Sequence, residues 1–222
     1  MDMAKSAIIF DMDDTLYKER DYRTSGWRAV ARCFAAVCRM TPDELYSAMV
    51  ESPARAFETV CEIAARNGVE VSVDMQLNIY RAHRPEISLD EESRMVLNEL
   101  RARGINTGII TDGRALGQLN KLAVLEADRY IDPQFIIPTV LFNTDKHSDK
   151  PFRMIMERMS DVENFTYVGD NPSKDFHHPN LLGWNTVMLA DVAGVNIHSQ
   201  DLSAWPAEFH PHKVINSLRE LL

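Results

Sequence analysis

The sequence predicts an α/β fold: a parallel sheet covered by helices, with an all-helical segment inserted near its start. The apolar run "AIIF" (7–10) ends at Asp11, and residues 17–87 show helical signals without a convincing strand. After residue 87, helical and β-rich stretches alternate, which is typical of a parallel sheet covered on both faces. We therefore predict a doubly wound core domain from residues 1–16 and 88–222, and a helical domain from residues 17–87.

The inserted segment contains start and stop signals for several helices. Thr41 and Pro42, followed by Glu44, form the capping-box pattern of a helix start. Asn67-Gly68 is a typical helix end. The strand-free stretch from about Asp21 to Pro85, roughly 65 residues, is long enough for a small helical bundle.

The part after the insert predicts the remaining strands and helices of the core. Short β-rich runs predict strands in "INTGIIT", "QFIIPTV" (the weakest), "FTYVGD" and "WNTVMLA". Helical patterns occupy "SLDEESRMVLNELRARG", "GRALGQLNKLAVLE" and "PFRMIMERMS". The closing stretch "PHKVINSLRELL" predicts an amphipathic helix with Val214, Ile215, Leu218 and Leu222 on one side.

Composition narrows the classes of partner. The net charge is -9 and no basic stripe is present, which argues against nucleic-acid binding. The run "AIIF" is too short for a signal peptide or a membrane span, so we expect a cytoplasmic protein without a membrane partner. The three cysteines match no zinc pattern. The sequence does not indicate an oligomeric state.

Polar residues gather where the predicted strands end. Asp11 ends the first strand, Thr111 and Asp112 end another, and Asp170 ends a third. Sites in open parallel sheets form at these carboxyl ends. Asp11 and Asp13 lie on the same side of an extended chain. Such an oxygen-rich cluster suits Mg²⁺, which would offset the repulsion between the carboxylates.

Two other features add phosphate chemistry to this cluster. Lys150 and Thr111 offer a cation and a hydroxyl donor suited to the oxygens of a phosphoryl group. An aspartate can act as a nucleophile, and a second carboxylate as general acid and base. A Ca²⁺ loop is the alternative, but Leu16 stands where that loop needs Gly and Tyr22 where it needs Glu.

Four segments resemble, in order, the motifs of the haloacid dehalogenase superfamily: "DMDDT" (11–15), "IITDG" (109–113), Lys150-Pro151 and "VGDNPSKD" (168–175). The helical insert lies between the first two, where that superfamily places its helical cap domain. The resemblance implies a Rossmann-like doubly wound parallel sheet core with an inserted α-helical cap.

The resemblance also implies catalytic and metal-binding roles. Asp11 would attack phosphorus, and Asp13 would protonate the leaving oxygen and then activate water. Mg²⁺ would be bound by the Asp11 carboxylate, the Asp13 main-chain carbonyl and Asp170. Asp175 would support the metal site or the lysine.

The resemblance assigns the phosphoryl group to Thr111, Asp112 and Lys150. The family's usual Lys-Pro-Asp-Pro is replaced here by a lysine and proline followed by Phe152 and Arg153, and Lys146 lies nearby. We favour Lys150 because it directly precedes a proline suited to a helix start.

The predicted function is a Mg²⁺-dependent phosphatase that hydrolyses a small-molecule phosphate monoester through an aspartyl-phosphate. Dehalogenases of the superfamily lack an acid at the position of Asp13. A phosphomutase or other phosphotransferase remains an alternative, as does a non-catalytic ligand-binding protein, although Asp11, Asp13 and Asp170 are all retained. Sugar phosphates, phosphoglycolate and nucleoside monophosphates all remain open as substrates.

Overall fold

The computed structural model describes residues 5–222, which form two compact units. One unit ends at Arg20 and resumes from Ser88 to Leu222, and the other is Asp21–Ile87. The sequence predicted the first boundary four residues earlier, after residue 16. Helix α1 (Glu19–Phe34) spans the observed boundary, so no loop separates the units at this point.

The first unit is built on a six-stranded parallel sheet with the strand order β3-β2-β1-β4-β5-β6. Its strands are β1 (Ser6–Phe10), β2 (Asn106–Thr111), β3 (Ile136–Pro138), β4 (Asn164–Gly169), β5 (Asn185–Leu189) and β6 (Lys213–Ile215). This is the order of a Rossmann-like doubly wound sheet, and it confirms the predicted fold class. The strand order reverses at β1, so the crevice for a ligand lies at the carboxyl end of β1.

Four helices of this unit connect the strands: α5 (Glu91–Ala102), α6 (Ala115–Val124), α7 (Lys150–Arg158) and α8 (His177–Leu181). Ile9, Ile110, Phe152, Tyr167 and Trp184 belong to one buried cluster. The Phe152 ring packs edge-on against Tyr167, with 5.3 Å between centroids. Aromatic packing at this distance adds about 0.5–1.5 kcal/mol to the burial of the rings. The cluster therefore fixes the strands that deliver the polar residues at their ends.

The end of the chain corrects the sequence prediction of an amphipathic helix. Lys213–Ile215 forms β6, which pairs with β5 through Met188 and Val214. Val214 and Ile215 are β-branched, and the strand buries Ile215 while leaving Val214 exposed. Ser217 begins a helix only afterwards, through a capping box with Glu220, and four residues of 3₁₀ helix follow.

The second unit contains the remainder of α1 and three further helices: α2 (Pro42–Glu51), α3 (Ala56–Arg66) and α4 (Val73–Ala82). The capping box of Thr41 and Glu44 is present, as predicted. Val30, Leu45, Met49 and Val60 are buried in its core. All of residues 21–87 are described, and they contain no strand. Across residues 5–222, no helix has the length and apolar character needed to cross a bilayer.

Candidate active site

The turn after β1 places two carboxylates at the centre of the sheet's carboxyl edge. Asp11 is buried, and its N–H donates to the Val168 carbonyl at 2.8 Å. Asp14 has a positive φ of 56°, and its carboxylate accepts the N–H groups of Glu19 (2.9 Å) and Ile197 (3.0 Å). Aspartate tolerates this backbone conformation better than most residues. Asp14, which the sequence did not single out for a role, therefore fixes the turn that presents Asp11 and Asp13.

The first cluster unites three carboxylates that the sequence predicted for the site, two of them from the turn after β4. One oxygen from each of Asp11, Asp170 and Asp175 lies within 4.8 Å of the others, and all three residues are buried. Asp175 also accepts the N–H groups of Asp170 (3.1 Å) and Asn171 (2.8 Å). A Cβ at Gly169 would stand 2.5 Å from the Asp175 carboxylate, so the absence of a side chain there permits this close packing.

Lys146 is the cation of this cluster. Its side chain is 0% exposed, and Nζ lies 2.8 Å from Asp11 Oδ1 and 2.6 Å from Asp175 Oδ1. A third contact runs from Nζ to the Tyr167 hydroxyl at 3.2 Å. Burial alone would lower the pKa of Lys146, but Asp11 and Asp175 raise it well above its usual range. The lysine is therefore held in its charged form.

The structure does not bring Lys150 to the cluster, which corrects the sequence prediction. Lys150 is the exposed first residue of α7, and its Nζ donates to the Phe142 carbonyl at 2.6 Å. The turn before α7 instead directs the side chain of Lys146 inward. The following proline marked the helix start correctly, but the turn held by Asp112 places Lys146 at the cluster. The sequence analysis noted Lys146 as a nearby lysine, but no local pattern favoured it over Lys150.

Asp112 contacts the same turn. Its carboxylate accepts the Thr139 hydroxyl at 2.6 Å and the main-chain N–H of Lys146 at 3.2 Å. Asp112 therefore positions this turn, and it also lines the cavity next to Asp11; its phosphate-binding role stays a prediction. Thr111 is fully buried, and its hydroxyl accepts the Gln118 side-chain amide at 3.1 Å.

Asp13 belongs to a second network, supplied by α6. Its Oδ1 pairs with Lys121 Nζ at 2.7 Å, and its Oδ2 accepts the Gln118 amide at 3.2 Å. The Tyr17 hydroxyl also donates to Oδ1. Sequence reasoning missed Gln118 and Lys121. Both are polar residues of the mostly apolar helix "ALGQLNKLAV" and are three positions apart. Residues at i and i+3 share a helix face, so this spacing could have predicted a polar face directed at the site.

The two networks shift the two carboxyl groups in opposite directions. Burial raises the pKa of Asp11 to about 6, although Lys146 opposes the shift. Burial would also raise the pKa of Asp13, but Lys121, with hydrogen bonds from Tyr17 and Gln118, lowers it below its usual range. Asp13 is therefore held as an anion, whereas the charge on Asp11 is less favourable.

The donor set of the first cluster fits a divalent cation. Burial, with Asp175 and Asp11 as neighbours, raises the pKa of Asp170 to about 9. Three carboxylates around a single ammonium leave negative charge that a divalent cation would offset. Carboxylate oxygens are also the ligands preferred by hard cations such as Mg²⁺. Asn196 steadies Asp170 by donating from its amide to Oδ2 at 3.2 Å.

A cavity of about 270 Å³ opens on these residues. Its lining comprises Asp11, Asp13, Glu19, Asp112, Gly113, Asp170, Lys174 and His198. This volume suits a small ligand. A larger cavity of about 410 Å³ lies by the amino end of β2, next to Asn106, and is lined by none of the carboxylates of the cluster.

A family comparison covers all four segments singled out in the sequence, at residues 11–15, 109–113, 150–151 and 168–175. A family model described as haloacid dehalogenase-like hydrolase matches residues 8–188. A glyceraldehyde 3-phosphate phosphatase from Methanocaldococcus jannaschii is 31% identical over 127 residues, which are 57% of this chain and 51% of that protein. The chain thus spans about half the length of this curated relative.

Solved structures share the fold at low sequence identity. A haloacid dehalogenase-type (HAD) phosphatase from Thermococcus onnurineus is 20% identical, with a TM-score of 0.61 over 97% of this chain and 95% of that chain. A magnesium-bound putative hydrolase from Bacillus subtilis is 16% identical, with a TM-score of 0.65 over 99% and 97% of the two chains. A 2-haloacid dehalogenase from Pseudomonas syringae is 22% identical, with a TM-score of 0.61 over 99% and 96%. On the family match, the chain belongs to the haloacid dehalogenase-like hydrolases.

Proposed function

We propose that this protein is a Mg²⁺-dependent phosphatase that hydrolyses a small-molecule phosphate monoester through an aspartyl-phosphate on Asp11. The central support is the contrast between Asp11 and Asp13. Asp11 lies in a buried cluster suited to a cation, whereas Asp13 lies beside the same cavity in a separate network that keeps it ionised. The name of the partial relative from M. jannaschii, a phosphatase, agrees with this proposal.

Asp11 and Asp170 would hold Mg²⁺, with the Asp13 main-chain carbonyl as a third ligand and Asp175 in support. When bound, the ion supplies positive charge that offsets the repulsion between Asp11 and the phosphoryl oxygens. Lys146 orients the Asp11 carboxylate through its 2.8 Å contact and balances part of the cluster's charge. Asp175 holds both Lys146 and the turn containing Asp170, so it acts as a positioning residue.

In the first step, a carboxylate oxygen of Asp11 attacks phosphorus and the bond to the leaving oxygen breaks. Asp13 gives its proton to that oxygen. The negative charge of the entering phosphate raises the proton affinity of Asp13, which allows this carboxyl to be protonated when substrate is bound. In the second step, the Asp13 carboxylate takes a proton from water, which attacks phosphorus and releases Asp11.

The test is phosphate release from a generic aryl phosphate, with and without Mg²⁺, by wild type and Asp11→Asn. We expect Mg²⁺-dependent turnover in the wild type and a loss of at least about 1,000-fold in the variant, since its nucleophile is gone. Lys150→Met is the matched control and should retain activity, because Lys150 lies outside the cluster. Turnover that survives in Asp11→Asn would refute the mechanism. Transfer of phosphate to a sugar hydroxyl, with no free phosphate, would identify a phosphotransferase.

A further inference from the structure

Lys146, the lysine paired with Asp11, uses all three of its donors within the protein. An ammonium group has three N–H donors. Those of Lys146 meet three acceptors, on Asp11, Asp175 and Tyr167, and the side chain is completely buried. An entering phosphoryl group would have to displace one of these contacts to bind Lys146 directly. A second lysine at the cavity would bind the phosphoryl oxygens without breaking a contact of Lys146.

Lys174 is the lysine in the cavity lining. Five of the eight lining residues are carboxylic acids, and Lys174 is the member of the set with a permanent positive charge. Within residues 5–222, its Nζ forms no ion pair with a carboxylate, although the residue is partly buried. A partly buried, unpaired ammonium in a cavity that also opens on Asp11 is available for an anionic ligand.

The backbone around Lys174 is fixed by its own turn. The N–H of Lys174 donates to the Asn171 carbonyl at 3.2 Å. The Asn171 side-chain oxygen accepts the N–H (3.0 Å) and the hydroxyl (2.7 Å) of Ser173. The same turn contains Asp170 and Asp175, so Lys174 is anchored to the elements of the cation cluster.

The charge of Lys174 acts on the groups around the cavity. It lowers the pKa of Asp11 and of Glu19, although burial raises both overall. The pKa of His198 is lowered mainly by burial, and the positive charge of Lys174 lowers it further. These effects agree with the position of Lys174 in the same cavity lining as Asp11.

We propose that Lys174 binds the non-bridging oxygens of the substrate's phosphoryl group in the cavity. The proposal rests on the proposed phosphatase function. It adds a second lysine to the site: Lys146 holds the nucleophile, and Lys174 contacts the group that is transferred. The ligand recognised by Lys174 is a tetrahedral oxyanion, so inorganic phosphate is the simplest probe.

The experiment measures the affinity for inorganic phosphate by calorimetry in the presence of Mg²⁺. Lys174→Met is compared with wild type and with Lys213→Met, a matched change of an exposed lysine on β6. We expect affinity to fall about 10- to 100-fold in Lys174→Met, as for loss of a charge-assisted hydrogen bond, and to stay unchanged in Lys213→Met. Lys174→Arg should recover part of the loss, because it retains the charge. Thermal unfolding checks that each variant is folded.

A second readout separates phosphate recognition from recognition of the leaving group. If Lys174 binds the phosphoryl group, the specificity constant kcat/KM of Lys174→Met should fall by a similar factor for a neutral aryl ester and a carboxylate-bearing phosphate ester. Unchanged phosphate affinity would overturn the proposal, as would a loss confined to the carboxylate-bearing ester. If wild type binds phosphate through Lys174 yet hydrolyses no ester, the phosphatase function fails while the assignment of Lys174 stands.

Discussion

Asp11 and Asp13 are two residues apart, yet their carboxylates belong to networks built by different parts of the core. Asp11 meets Lys146 and Asp175, which come from the loops after β3 and β4. Asp13 meets Lys121 and Gln118 of α6. The pKa of Asp11 is raised and that of Asp13 is lowered. Neighbouring carboxylates can therefore take different chemical roles because the fold surrounds each with different partners.

The Asp11 network should be the more sensitive of the two to loss of its cation. Lys146→Met leaves Asp11 and Asp175 buried without their ammonium partner. We expect the free energy of unfolding to fall by about 3–5 kcal/mol, the usual range for breaking a buried ion pair. Urea unfolding of the metal-free protein measures this change.

The control for Lys146 is Lys150, the lysine favoured by the sequence. Its Nζ contacts a carbonyl on the surface and no carboxylate of the cluster. Lys150→Met should therefore unfold close to the wild-type midpoint and retain activity. Equal destabilisation by the two substitutions would contradict the division between a buried and an exposed lysine.

The Asp13 network should show an intermediate effect. Lys121→Met removes a pair in which the two side chains are 6% and 15% exposed. We expect a loss of about 1–3 kcal/mol in unfolding free energy, because Asp13 retains Tyr17 and Gln118 as hydrogen-bond donors. Hydrolysis of the phosphoryl group on Asp11, which releases phosphate, should also slow. The reason is that Asp13, the proposed base, loses the cation that orients it. Rapid-quench kinetics would detect this change, and an unaltered release rate would remove Lys121 from the positioning role.

Glu19 offers the smallest effect and the clearest pH dependence. Burial, with Asp13 as a neighbour, raises the pKa of Glu19 to about 7 from 4.5. A carboxyl whose pKa is higher in the folded state favours folding at low pH, and this contribution is lost as pH rises through the folded-state pKa. As the pH rises from about 5 to about 8, the free energy of unfolding should therefore fall by about 1–2 kcal/mol less in Glu19→Gln than in the wild type. This figure allows for the partial exposure of Glu19.

The comparison for Glu19 is Glu157→Gln, a change of an exposed glutamate on α7. Chemical unfolding of all three proteins across the pH range gives the slopes directly. A wild-type slope in Glu19→Gln would show that another group controls this pH range.

The sequence predicted the sheet and most acidic residues of the site because both follow local rules. Asp11 and Asp170 lie at the ends of buried apolar strands, and the carboxyl ends of parallel strands share one edge. The same local reasoning failed at Val214 and Ile215. Their apolar spacing fits a helix, but pairing with β5 supplies hydrogen bonds and burial that a sequence pattern does not reveal.

The partners of the acids were harder to predict because they depend on tertiary packing. Lys146 and Lys150 have similar local surroundings in the sequence, and only the turn held by Asp112 determines which is buried. Lys121 reaches Asp13 across 108 positions of the chain. His198 lies in a loop without any regular pattern. Strand ends could therefore be predicted, whereas the cations that tune them could not.

Trapping the phosphoryl group tests the division of roles between Asp11 and Asp13 most directly. Asp13→Asn would be mixed with an aryl phosphate and Mg²⁺, quenched in acid and mapped by peptide mass spectrometry. An aryl leaving group needs little protonation, so formation of the intermediate should continue while its hydrolysis slows. The account predicts that phosphate accumulates on Asp11 in Asp13→Asn and is absent from Asp11→Asn. Slow turnover by Asp13→Asn without a phosphorylated Asp11, or with phosphate on another residue, would contradict it.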